Sequence, residues 1–156
     1  MRDVSSQLHE FGSKEEMMEF ADEVLYGIDE ASLRGAMERY LSKNQFMVFQ
    51  GRVGHNGPDI QASKQGRKLI IEAKGECSSQ SDRRHSFEQA IAQIVSRMES
   101  EGCDYAIALP AHYDFCRLIC KLPNYARKIL HLNFYLVDVV TLSDEYVISY
   151  LSPDVS

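Results

Sequence analysis

The chain has 156 residues, 44% hydrophobic and 26% charged, which is the make-up of one globular domain able to bury a core without disulfide or metal staples. No apolar run approaches the roughly 20 residues that cross a bilayer, and the amino terminus has no apolar h-region, so a cytoplasmic protein with no membrane partner is expected. A net charge of −6 disfavours a general electrostatic nucleic-acid binder, yet leaves room for a local basic stripe beside carboxylates that hold a metal.

The first 28 residues read as helical. Ser13-Lys14-Glu15-Glu16 has the form of a capping box, Met17, Phe20, Ala21, Val24 and Leu25 recur at helical spacing, and Gly27 can end the run. A second helix covers Ser32 to Lys43, with Leu33, Ala36, Met37, Tyr40 and Leu41 on its apolar face and Glu38 off it. Gln45 to Gln50 reads as a strand and Gly51 to Gly57 as a loop rich in breakers. Asp59 to Ser63 and Lys68 to Lys74 form the arms of a hairpin, and Cys77 to Asp82 a polar loop. A helix capped near Ser86 runs to about Ser100. Tyr105 to Leu109 then reads as a buried strand, and Asp114 to Leu130 as a helix that Pro123 kinks or divides. Phe134 to Val140 is a strand and Tyr146 to Leu151 a last edge strand. The fold class is therefore α/β, one mixed central sheet flanked by helices, in a single domain. Residues 1–31 are a helical extension, 32–140 the core and 141–156 an edge segment. The four cysteines form no C-x-x-C pair and read as reduced, packed thiols.

The hairpin carries the chemistry. A tight turn centred on Gln65-Gly66 sets Lys64 opposite Arg67, and counting outward brings Asp59 opposite Glu72. Directly opposed residues have Cβ atoms about 5 Å apart. Strand alternation puts Lys74 on the side of Glu72 and turns Ile71 and Ala73 away. Two carboxylates so close repel unless a proton or a cation lies between them. Hard oxygen donors suit Mg²⁺, with Mn²⁺ as a substitute. A slip of one residue in the turn would put Asp59 on the wrong face and leave two ordinary charged strands.

Pro58-Asp59, twelve intervening residues and Glu72-Ala73-Lys74 resemble the PD-(D/E)XK signature of restriction endonucleases and Holliday-junction resolvases. The likeness covers Ser32 to Val140, and the expected order of helix, three strands, helix and strand is that of the restriction-endonuclease-like core. It implies that Asp59, Glu72 and the carbonyl of Ala73 hold the metal and that Lys74 serves an attacking water. It also implies an acid on the preceding helix, for which Glu38 is the candidate. Ala90-Ile91-Ala92-Gln93 resembles a glutamine-bearing element of such enzymes, with alanine where glycine is usual. The activity implied is Mg²⁺-dependent hydrolysis of nucleic acid, foremost as a DNA endonuclease in restriction, repair or recombination, and such enzymes often act as homodimers.

Independently of that likeness, His85, Gln89, Gln93 and Arg97 form one polar helical stripe that can face phosphate or water. Phe87, Ala90, Ile91, Ile94, Val95 and Met98 lie opposite, toward the core. Arg83, Arg84, Lys64, Arg67 and Lys68 are the basic candidates. His55, in the loop before the motif, is a further candidate for substrate contact. The competing expectation is a non-catalytic nucleic-acid-binding or protein-interaction module on the same fold.

Overall fold

A computed structural model describes residues 8–23, 28–49, 57–140 and 145–155. Val24, Leu25, Gly27 and His55, with most of the loop before the motif, lie outside them. Among the described residues there are seven strands, β1 (Leu8–Glu10), β2 (Met47–Val48), β3 (Ile60–Lys64), β4 (Arg67–Ala73), β5 (Cys103–Pro110), β6 (Leu132–Val140) and β7 (Glu145–Leu151). Five helices accompany them, α1 (Lys14–Glu23), α2 (Glu30–Lys43), α3 (Gln80–Ser96), α4 (Tyr113–Lys121) and α5 (Asn124–Leu130).

The strands make one mixed sheet in the order β1-β7-β6-β5-β4-β3-β2. Strands β4, β5 and β6 run parallel, β2, β3 and β4 form an antiparallel meander, and β7 returns antiparallel to β6. The two parallel joins are crossed over by helices, as parallel strands require. Strand β1 was not expected, since residues 1–31 read as a helical extension. It pairs parallel with β7, so β7 is not the edge strand it was read as.

The sheet separates two apolar layers. On one side α2 alone buries Leu33, Ala36, Met37, Tyr40 and Leu41 against Ile60, Ala62, Leu69, Ile71 and Ala73. These are the five apolar residues its periodicity selects. On the other side α1, α3 and α4 cover Ile107, Leu109, Phe134 and Leu136. The capping box forms in part, with Glu16 N–H donating to Ser13 Oγ at 3.0 Å and the Glu16 carboxylate accepting from Gly12 N–H at 2.8 Å.

Helix α3 begins earlier than expected. Ser79 caps it by accepting from Asp82 N–H at 3.1 Å, so the segment read as a polar loop is its first turn. Val95, expected in the core, is exposed. Pro123 does divide the next helical stretch, into α4 and α5. The cysteines are free thiols, with Cys116 buried.

Candidate active site

The β3–β4 turn has positive φ at both Gln65 and Gly66, 51° and 79°. That is the twist a two-residue hairpin needs. Lys64 therefore pairs with Arg67 and Ile60 with Ile71, and just beyond the ladder the Asp59 carboxyl comes within hydrogen-bonding reach of Glu72. Asp59 sits just before β3 and is pinned twice. Its Oδ2 accepts from Ala73 N–H at 2.8 Å, and its main-chain carbonyl accepts from Arg34 Nη2 at 2.9 Å.

Glu72 belongs to the face of β4 that looks toward α3, as does partly buried Ile70, which packs into the layer beneath that helix. It is 3% exposed, an unusual place for a carboxylate. Arg97, the residue that ends α3, donates from Nε to Glu72 Oε1 at 3.1 Å and from Nη2 to Gly57 O at 3.0 Å. Burial pushes the Glu72 carboxyl up to about 7, the hydrogen-bonding contact with Asp59 pushes the same way, and Arg97 opposes both. Lys74 follows on the Glu72 side, its main-chain N–H donating to Ala108 O at 3.1 Å. Its side chain is half-buried.

Two carboxyl groups in contact, one of them raised to about 7, are relieved by a proton or by a cation between them. Asp59, Glu72 and the neighbouring main chain thus fit a hard divalent cation at the level of donor type. Among the described residues no third His, Cys, Asp or Glu joins them. Glu38 is accordingly not brought to the pair. It lies on α2, which packs on the opposite face of the sheet from Glu72.

Gln93 is exposed on α3, one turn before Arg97, and Gln89 and His85 are exposed on the turns beyond it. Of that stripe, Arg97 is the residue in contact with Glu72. Other expected cations are engaged elsewhere. Arg67 pairs with Asp104 at 2.8 Å, and Arg83 is clamped between Glu76 at 2.6 Å and Asp114 at 2.9 Å. Arg34 was missed, because a lone arginine beside an apolar helical stripe carries no signal of its partner. Comparison with protein-family models, curated proteins and solved structures finds no match.

Proposed function

We propose that the chain is a Mg²⁺-dependent nuclease on a restriction-endonuclease-like core, a DNA endonuclease of restriction, repair or recombination that works as a homodimer. The observation that carries the reading is the pairing of Asp59 with Glu72 across a hairpin whose next residue on that face is Lys74. Asp59 and Glu72 would hold the ion with the Ala73 carbonyl. When bound, the ion supplies Lewis acidity and a nucleophile at neutral pH.

The chain's own residues have distinct tasks. Arg34 and the Ala73 amide fix Asp59, so its orientation costs nothing at the moment of binding. Arg97 favours the ionised form of Glu72 against its burial, a role the cation would share. Lys74 orients the attacking water or stabilises charge developing on the phosphate. Gln93, a turn away, faces the substrate.

A cleavage assay in Mn²⁺ on plasmid and on single strands tests this. Asp59→Asn should abolish cleavage with the fold intact, since it keeps the size and removes the charge a hard cation needs. Lys74→Ala should cut the rate nearly as much and leave Mn²⁺ affinity in calorimetry unchanged. A fully active Asp59→Asn sinks the proposal.

One observation favours the second reading, a non-catalytic binding or interaction module. Arg97 already supplies Glu72 with a positive partner, so the carboxylate has a structural role without any ion. That reading predicts no heat on Mn²⁺ titration and no cleavage of any substrate.

A further inference from the structure

We infer that the open face of β2 and β3 beside the carboxylates is a platform for single-stranded nucleic acid, with a base stacked on Phe49. The inference rests on the nuclease reading and names its substrate class. Val48, Ile60 and Ala62 pack into the α2 layer. Alternation therefore turns Met47, Phe49, Gln61 and Ser63 to the opposite side, the side of Asp59 and Glu72.

Helix α3 packs on β4 and β5, and among the described residues no helix packs over β2 and β3 on this face. Met47 is 76% and Phe49 56% exposed, the second and fourth largest exposures among the big hydrophobic side chains described. Together with Gln61, Ser63 and Lys68 they line a shallow cavity of about 300 Å³. Phe49 N–H donates to Gln61 O at 2.8 Å, which fixes the ring level with Gln61. Asp59 lies two residues before Gln61, about 7 Å away at strand rise. A base on the ring would thus leave its own backbone near the metal-holding pair.

Charge decides between substrate shapes. Duplex binding draws on many Lys and Arg contacts to phosphate. Here the chain carries −6, and Arg67, Arg83 and Arg97 are each tied to an acid. Among the described residues this face then offers Phe49 and Met47, two hydrogen-bonding side chains, and the cations Lys68 and Lys74. Stacking tolerates any base, and the phosphate contacts that an unpaired strand also needs fall to Lys68 and Lys74.

The test is fluorescence anisotropy with a 5′-labelled dT12 strand and its duplex with dA12, in EDTA so that nothing is cut. The wild type should prefer the single strand. Phe49→Ala should weaken that binding roughly tenfold, Phe49→Trp should restore it, and circular dichroism should be unchanged in both. Equal or tighter duplex binding overturns the platform, as does a Phe49→Ala protein that binds dT12 like the wild type. A dimer in sedimentation that Phe49→Ala dissociates, with no change in dT12 binding, overturns it too and makes the face a contact between copies. Failure here is separable from failure of the nuclease reading. Mn²⁺-dependent cleavage of dT12 or of plasmid that Phe49→Ala leaves unchanged removes the platform alone, whereas absence of cleavage of both substrates removes the nuclease.

Discussion

Replacing Glu72 by glutamine should stabilise the metal-free protein, by an amount that grows from pH 4.5 and is complete above pH 7. The ordinary carboxyl value is 4.5, and in the fold Glu72 is pushed up to about 7. Below 4.5 the group is protonated in both folded and unfolded chains, and its proton costs nothing. Between 4.5 and 7 the folded chain holds a proton that the unfolded chain has released, so stability falls as pH rises and levels off above 7. At 1.36 kcal/mol per pH unit, the full penalty is about 3 kcal/mol. Glu72→Gln removes the charge, keeps an oxygen for Arg97, and should recover most of that penalty at pH 8. At pH 4.5 it should be close to neutral.

Urea denaturation in EDTA at the two pH values reads both effects as shifts in midpoint at constant slope. In the wild type alone, Mn²⁺ at about 100 times its Kd should add about 2.7 kcal/mol at pH 8. A stabilisation of equal size at pH 4.5 and pH 8, or a loss at pH 8, would refute the reasoning. It would mean that Arg97 outweighs burial and the neighbouring acid.

Arg97→Gln should act in the opposite sense, leaving a buried carboxylate without its cation and costing about 1–3 kcal/mol at pH 8 by the same urea measurement. It should also push the Glu72 titration higher, visible as a shifted side-chain carboxyl resonance. Gly75→Ala should cost more than a usual surface change. Its Cβ would lie 2.2 Å from Glu30 N and 2.8 Å from the Asp29 carbonyl carbon, so the start of α2 must move. A loss of about 1–3 kcal/mol in thermal or urea melts is expected. Arg127→Leu should cost roughly 2–4 kcal/mol, because buried Arg127 donates to the main-chain carbonyls of Ser152 and Val155 and to Asn124 Oδ1. Raised protease cleavage near residues 152–155 would report it.

The hairpin was legible because its determinants are local. Gln65-Gly66 sets the turn, the turn sets the register, and the register brings Asp59 to Glu72. The buried face of α2 was legible for the same reason, one residue pattern against one period. Arg97 was legible as a member of a stripe, but its reach to Glu72 depends on how α3 crosses the sheet, which no pattern within the helix records. The start of α3 was misread because Ser78-Ser79-Gln80-Ser81 serves equally as loop or as cap. Strand β1 was invisible, being three residues whose partner lies at the other end of the chain.

That pairing sets an order of assembly. Leu8 meets Ile148 across about 140 residues, among the widest closures the chain makes, and closure entropy must be met before those hydrogen bonds return anything. The β3–β4 hairpin closes over two residues and forms on the microsecond scale. The acids are therefore brought face to face early, while water still screens them, and their mutual repulsion grows only as α3 settles and the interior dries. Amide exchange should follow the same gradient, fastest at residues 8–10 and slowest along β5.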